Sequence, residues 1–220
     1  MLSIVSTPIG NLEDITLRAI RTLKEADLIA AEDTRHTGLL LQHFEIKTPQ
    51  ISFHSHSGVM KLDKIMEFLH QGKHVALVSD AGTPGISDPG YLLIRRAVEE
   101  GIEVCPIPGP SAVLAALVVS GLPMDKFVYI GFLPTKKGRQ TLLKTLLSEE
   151  RTLVFYESTH RIHKTLHDLT ECGFGDHQLV IARELTKLHE SIYRGTVAEL
   201  TQKLTDDKLK GEIVLVLHKA

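Results

Sequence analysis

Five short apolar runs punctuate the first half of the chain: Leu2–Ser6, Leu28–Ala31, Ile51–Phe53, Val75–Ser79 and Val104–Ile107. Between them lie amphipathic stretches. Ile15, Ala19, Ile20 and Leu23 recur at helical spacing, with Asp14 ahead of them as a cap, and Leu62, Ile65, Met66 and Leu69 form a second helix face. Further helices are expected over Gly38–Phe44, Tyr91–Glu100 and Ala112–Ser120. Strands that alternate with helices pair in parallel, so this half reads as an α/β layer with a largely parallel sheet. Such sheets take ligands in the crevice beyond the carboxyl ends of their strands.

Gly121-Leu122-Pro123-Met124-Asp125 interrupts the pattern, which divides the chain into an N-terminal domain over 1–120 and a C-terminal domain over 121–220. The second half restarts with a strand at Phe127–Gly131, a Pro/Lys loop and a helix at Gln140–Leu147. A strand at Thr152–Tyr156 and a helix at Thr159–Leu169 follow, then strands at Leu179–Ala182, Ser191–Arg194 and Ile213–Leu217. Thr196-Val197-Ala198-Glu199 fits a capping box opening a helix at Ala198–Leu204. Short connections between these later strands imply a mixed sheet. The expected fold class is therefore α/β, with two α/β domains.

No apolar run reaches the roughly 18 residues of a membrane span, and MLSIVSTPIGN reads as a first strand rather than a signal peptide. A cytoplasmic protein without membrane contact is expected. Cys105 and Cys172 lie far apart, and no disulfide is expected in that compartment. A formal net charge of −2 gives no footprint of a strongly basic nucleic-acid binder. The densest basic patch is Lys136-Lys137-Gly138-Arg139, read as a mobile basic loop.

The strand Val75–Ser79 runs into an unusual loop, LVSDAGTPGISDPG over residues 77–90. Its glycines allow positive φ and a close approach of main-chain amides to a ligand. Its prolines fix the loop's shape before anything binds. Asp80, Thr83, Ser87 and Asp88 add acceptors and hydroxyls, while no lysine or arginine falls between Val75 and Tyr91. The loop suits a neutral or cationic ligand with amide-type hydrogen bonds, such as a nucleoside that carries a sulfonium and an ammonium group. The sequence has no G-x-G-x-x-G after the first strand, no P-loop, no H-E-x-x-H, no C-x-x-C and no G-x-S-x-G. His54 and His56 share a face on a strand, and His160, His163 and His167 share one on a helix. No cysteine or carboxylate completes either set, so no metal site is expected.

In order along the chain stand STPIGNLEDIT (6–16), AAEDTRHTGLLL (30–41), LVSDAGTPGISDPG, PIPGPSA (106–112), GFLPTKKG (131–138), FYESTHR (155–161), ARELTK (182–187) and GEIVLV (211–216). This series resembles the family of small-subunit ribosomal RNA ribose methyltransferases I, within the tetrapyrrole (corrin/porphyrin) methylases. The resemblance implies two α/β domains with S-adenosyl-L-methionine in the cleft between them. It also implies a homodimer, and 2′-O-methylation of a cytidine in the decoding region of small-subunit ribosomal RNA, as naked RNA or assembled subunit. By analogy the cofactor meets Pro8 and Ile9, then Ala81, Gly82, Thr83, Pro84, Ile86 and Ser87, then Ser111 and Ala112. From the second domain Tyr156, Ala182, Arg183, Glu212 and Ile213 are expected to close over it.

Methyl transfer to a ribose hydroxyl is an in-line displacement, in which alignment does most of the work and a base accepts the hydroxyl proton. Asp33 and Glu32 are the first candidates for that base and Glu157 and His160 the second. Arg35, His36, His54, His56, Lys136, Lys137, Arg139, His160, Arg161 and Lys187 are candidate substrate contacts. Arg35, Arg161, Arg183 and Lys187 would hold phosphates or lower the pKa of the attacking hydroxyl. Two other readings remain open: carbon methylation of a tetrapyrrole, and a cofactor- or RNA-binding module without turnover.

Overall fold

In the computed structural model, which describes residues 1–54, 59–205 and 209–219, the first five strands form one sheet. They are β1 (Leu2–Val5), β2 (Leu28–Ala31), β3 (Gln50–Ser52), β4 (Val75–Val78) and β5 (Val104–Ile107), in the spatial order β3-β2-β4-β1-β5. Every pairing is parallel. Strand residues alternate between faces, and the apolar side chains sort accordingly. Val5, Ile29, Ala31, Ala76 and Val78 pack with Ala19 and Leu23 of α1 (Leu17–Glu25) and Leu40 and Leu41 of α2 (Thr34–His43). Leu2, Ile4, Leu28, Ala30, Val75 and Leu77 pack on the other face. Their partners are Ile65, Met66 and Leu69 of α3 (Val59–His70) and Leu93 and Ala97 of α4 (Tyr91–Glu99). Burial on both faces explains why β2 and β4, at the middle of the sheet, are unbroken apolar runs.

Three helix starts differ from the sequence reading by two residues or more; in the second half the helix expected from Thr159 begins at Ile162, after a turn in which the Arg161 N–H donates to the Ser158 carbonyl. Asp14 does not cap α1: Leu12–Asp14 forms a short 3-10 turn capped by Asn11, and Thr16 accepts the Ala19 N–H at 3.0 Å to open the helix. Helix α2 begins at Thr34 rather than Gly38, because Asp33 caps it and adds a turn ahead of the apolar face.

The second sheet contains β6 (Phe127–Phe132), β7 (Thr152–Ser158), β8 (Gln178–Arg183), β9 (Ser191–Thr196) and β10 (Glu212–His218), in the order β6-β7-β10-β8-β9. Only β6 and β7 pair in parallel; the remaining pairs are antiparallel, giving the expected mixed sheet. Phe155, Ile181, Leu215 and their alternating neighbours pack against α6 (Arg139–Leu146), α7 (Ile162–Leu169) and α8 (Val197–Lys203). The capping box at the start of α8 forms as read from sequence, with Thr196 and Glu199 bonding reciprocally.

The chain divides into compact units Met1–Ser111 and Ala112–Ala220, nine residues before the boundary placed at the Gly121 break. The reason is α5 (Ala112–Ser120), which packs on β8 and β10 and so joins the second unit. Arg194 of β9 pins its end by donating to the carbonyls of Val119 and Ser120, the groups that a helix C-terminus leaves without partners. Both cysteines are free thiols. Among the described residues no helix is long and apolar enough to cross a membrane.

Candidate active site

In the first unit the loops after β1, β4 and β5 are fastened to one another. Thr7 and Gly82 exchange two main-chain hydrogen bonds, of 2.9 and 3.0 Å. The Ser6 and Thr83 hydroxyls lie 2.8 Å apart, and the Thr7 hydroxyl donates to the Ser79 carbonyl at 3.2 Å. The Ser6 N–H donates to the Ile107 carbonyl, and Gly109 packs so closely that an added Cβ would lie 2.9 Å from the Ser6 Cβ. Gly82 sits at φ 74°, a conformation that costs a side-chain-bearing residue free energy. Ser87, at φ 64°, adopts the left-handed region without being glycine, a strain that tends to collect at binding sites. Ile9, Gly82 and Pro84 are buried, Pro8, Ala81, Thr83 and Ser111 are half-buried, and Ile86 and Ser87 are exposed. Ser111 ends this unit and Ala112, half-buried, begins the next. Ser6, Thr7 and Gly109 lie within the motifs STPIGN and PIPGPSA, but their part in joining the loops is invisible locally because each partner comes from another loop.

Three carboxylates stand beside these loops. The Asp33 N–H donates to Asp80 Oδ1 at 3.1 Å, and the Asp80 N–H donates to Glu32 Oε2 at 3.4 Å. The ends of β2 and β4 are thereby linked. Asp33 spends its side chain locally: Oδ1 accepts the Arg35 N–H at 2.8 Å, and the Arg35 guanidinium reaches both oxygens, the shorter contact being 2.6 Å. Those bonds hold the Asp33 carboxyl far below the usual carboxylate range. Glu32 moves the opposite way. Burial raises its pKa against the opposing bond from the Asp80 N–H, and the negative charges of Asp80 and Asp33 add to the rise. Arg35 and His36 are exposed and His54 is half-buried; His56 lies outside the described residues.

In the second unit Tyr156 and Ala182 both pair with Val214, on either side of it, and Arg183 pairs with Ile213. The Tyr156 ring contacts Tyr129 and Phe132, with centroids 5.3 and 5.5 Å away. The Arg183 guanidinium donates to the carbonyls of Lys210 and His189 and to the Ser191 hydroxyl, tying together the two loops at that end of β8. Lys187 lies between Glu184, at 3.0 Å, and Glu212, at 2.8 Å. Those carboxylates raise its pKa against the opposing effect of its partial burial.

Arg139 is not part of a basic loop. It is 3% exposed at the start of α6, donating to Asp168 at 2.6 Å, to the Thr165 hydroxyl at 2.7 Å and to the Pro134 carbonyl at 3.2 Å. Glu157 is buried beside it, accepting from the Thr165 hydroxyl at 2.5 Å and from the Ser158 N–H at 2.7 Å. Arg161 lies 3.3 Å from Glu157 and donates to the Leu133 carbonyl at 2.6 Å. Buried charges require such pairing, which is why residues that read as catalytic or RNA-facing form an internal network. Lys136, Lys137 and His160 are exposed. His160 precedes α7, so it does not share a helix face with His163 and His167. Among the described residues no group of three His, Cys, Asp or Glu side chains is arranged to hold a metal ion.

The loops at the carboxyl ends of this parallel sheet are thus locked together and edged by the carboxylates of Glu32, Asp33 and Asp80. The family model described as Tetrapyrrole (Corrin/Porphyrin) Methylases matches residues 1–201. The chain is 53% identical to the ribosomal RNA small subunit methyltransferase I of Synechocystis sp., covering 100% of this chain and 79% of that protein. With the protein of the same name from Thermotoga maritima it shares 51% identity over 98% of this chain and 97% of the relative. The chain belongs to the tetrapyrrole methylase family and, within it, to the ribosomal RNA small subunit methyltransferases I.

The fold agrees with solved structures of that family. The methyltransferase CobJ superposes with a TM-score of 0.73 at 19% identity, covering 100% of this chain and 94% of CobJ. A uroporphyrin-III C-methyl transferase from Thermus thermophilus, solved with S-adenyl homocysteine, gives 0.69 at 17% identity, covering 99% and 96%.

Proposed function

We propose that this chain transfers the methyl group of S-adenosyl-L-methionine to the 2′-hydroxyl of a cytidine in the decoding region of small-subunit ribosomal RNA. The donor set of the first unit suits that cofactor. Main-chain groups held around Gly82 suit an adenosine and an amino-acid moiety, and the Glu32 and Asp80 carboxylates suit positive charge. No lysine or arginine between Val75 and Tyr91 opposes a sulfonium. Pro8, Ile9, Ala81–Pro84, Ile86, Ser87 and Ser111 are the cofactor residues of this reading, with Ala112, Tyr156, Ala182, Arg183, Glu212 and Ile213 from the second unit. When bound, the cofactor supplies an electrophilic methyl group on sulfur.

The observation that carries the reading is the Glu32–Asp80–Asp33 chain of main-chain-to-carboxylate bonds beside the locked loops. It holds the Glu32 carboxylate in place, and burial, helped by the Asp80 and Asp33 charges, raises the Glu32 pKa against that Asp80 N–H bond. Glu32 takes the proton of the attacking hydroxyl; Asp33 caps α2 and orients Arg35. Arg35, Lys136, Lys137 and His160 meet RNA phosphates. The protein acts in the cytoplasm, as a homodimer, on naked ribosomal RNA or the assembled small subunit.

Labelled S-adenosyl-L-methionine tests this. Label is expected on the ribose of one small-subunit RNA cytidine and on neither free nucleosides nor tetrapyrroles. Label on a tetrapyrrole would replace this reading by carbon methylation, and cofactor binding without transfer to any acceptor would make the chain a binding module.

A further inference from the structure

Two arginines of the second unit converge on consecutive main-chain carbonyls. Arg139, from the first turn of α6, donates to the carbonyl of Pro134, and Arg161, from the residue before α7, donates to that of Leu133. Both stand against the same buried carboxylate. Glu157 lies 3.3 Å from Arg161 and 4.0 Å from Arg139, and the Thr165 hydroxyl bridges Glu157 Oε2 to the second Arg139 nitrogen. Asp168 closes the group, accepting from Arg139 at 2.6 Å and from Lys164 at 3.2 Å.

Stability alone does not explain this arrangement, since a buried ion group is often matched or bettered by packed apolar residues of similar volume. Its geometric effect is specific. Leu133 and Pro134 begin the segment that carries Lys136 and Lys137, while Glu157 and Arg161 bracket the segment that carries His160. The three exposed residues at the carboxyl ends of the parallel pair β6 and β7 therefore hang from one buried clamp.

We propose that Arg139, with Glu157 and Thr165, is a positioning residue for RNA: it fixes the two loops so that Lys136, Lys137 and His160 meet phosphates together. This rests on the RNA-methylation reading above. A planar guanidinium makes three bonds in fixed directions here, and lysine, a point charge on a flexible stem, cannot replace it.

The experiment compares Arg139→Lys, the pair Lys136→Ala/Lys137→Ala, and all three substitutions together, on small subunits over a range of salt. Loss of the two lysines is expected to raise KM about tenfold and flatten the salt dependence by about two phosphate contacts. Arg139→Lys keeps its charge, yet is expected to raise KM and flatten the salt dependence in the same direction, because the loop lysines move away from phosphate. Cofactor affinity is expected to stay within about twofold, and the triple variant to be no worse than the lysine pair, the signature of one coupled unit. Thr165→Val, which breaks the clamp without touching a charge, is expected to reproduce the KM effect, and Thr165→Ser, which keeps the hydroxyl, to leave KM near the wild-type value; that contrast, with cofactor affinity unchanged, separates loop positioning from a folding defect. Multiplicative losses in the triple variant, or an unchanged salt dependence for Arg139→Lys, would overturn the positioning role while leaving RNA methylation standing. If the wild-type chain methylates no RNA, both readings fall.

Discussion

Thr7 and Gly82, 75 positions apart in the chain, exchange a reciprocal pair of main-chain hydrogen bonds that splices the loop after β1 to the loop after β4. Joined, and further tied by the Ser6–Thr83 hydroxyl contact, they form a surface whose ordering cost is met during folding rather than at ligand binding.

That splice makes Gly82 a sensitive position. With φ at 74°, Gly82→Val is expected to force the loop out of register, at a cost of about 1–2 kcal/mol for the left-handed conformation. Calorimetric titration should show cofactor affinity falling by about tenfold or more, while circular dichroism stays that of the wild type. Full affinity would show that the left-handed conformation is not needed for binding.

Glu32 and Asp33 are adjacent but are expected to respond differently. Glu32→Gln keeps size and removes the base, so kcat should drop by about 10²–10⁴ with little change in cofactor affinity. Asp33→Asn keeps a good helix cap and should retain most activity. The reverse result would exchange their roles.

The pH profile follows from the same pair. A base works deprotonated, and burial raises the Glu32 pKa against the opposing hydrogen bond from the Asp80 N–H, with the Asp80 and Asp33 charges adding to the rise. Activity should therefore fall as pH drops through a value above the ordinary one for a glutamate, while Asp33, held far below the usual carboxylate range by Arg35, stays ionised throughout. A low-pH limb that stays in place in Glu32→Gln would remove Glu32 from the base role.

Thr165→Val deletes one hydroxyl that serves both Glu157 and Arg139. Leaving two buried charged groups short of a partner is expected to cost about 1–3 kcal/mol, read as a lower urea midpoint. Serine at the same position restores the hydroxyl and should recover most of the loss.

His74 accounts for a separate acid sensitivity. Burial, then the nearby N-terminal ammonium, lowers its pKa, and its Nε2 lies 2.9 Å from the Ser3 hydroxyl. The folded state thus prefers the neutral ring. The associated stability is fully present above the unfolded value of about 6.5 and is lost as pH falls from there through the folded value. Denaturation midpoints followed across that window should decline in the wild type and decline less in His74→Gln.

The periodic pattern was enough to give the strands, most of the helices, and the parallel and mixed character of the two sheets. Runs such as Val75–Val78 and Leu28–Ala31 carry that information in consecutive residues, because both faces of a parallel strand must be apolar. The capping box at Thr196 and Glu199 was legible for the same reason, since both partners lie within one turn. Helix α5 was assigned its element but not its side: an all-apolar segment does not say which sheet will cover it.

Charge was where local reading reached its limit. Arg139 beside Lys136 and Lys137 looks like one basic patch, and Glu157 beside His160 like a catalytic pair, when only composition is visible. Folding brings Asp168 and Thr165, 29 and 26 positions away, onto Arg139, and an interior of low polarity turns those neighbours into an ion group. Asp33 and Glu32 are likewise indistinguishable in the string EDTRHT. What separates them is Arg35 closing on one and burial next to Asp80 acting on the other. Consecutive residues are enough to say which segments become strands, which helices, and which loops are constrained. Which charged side chains face water and which are paired inside is settled by the fold, because solvation and pairing depend on groups that the chain brings together from far apart.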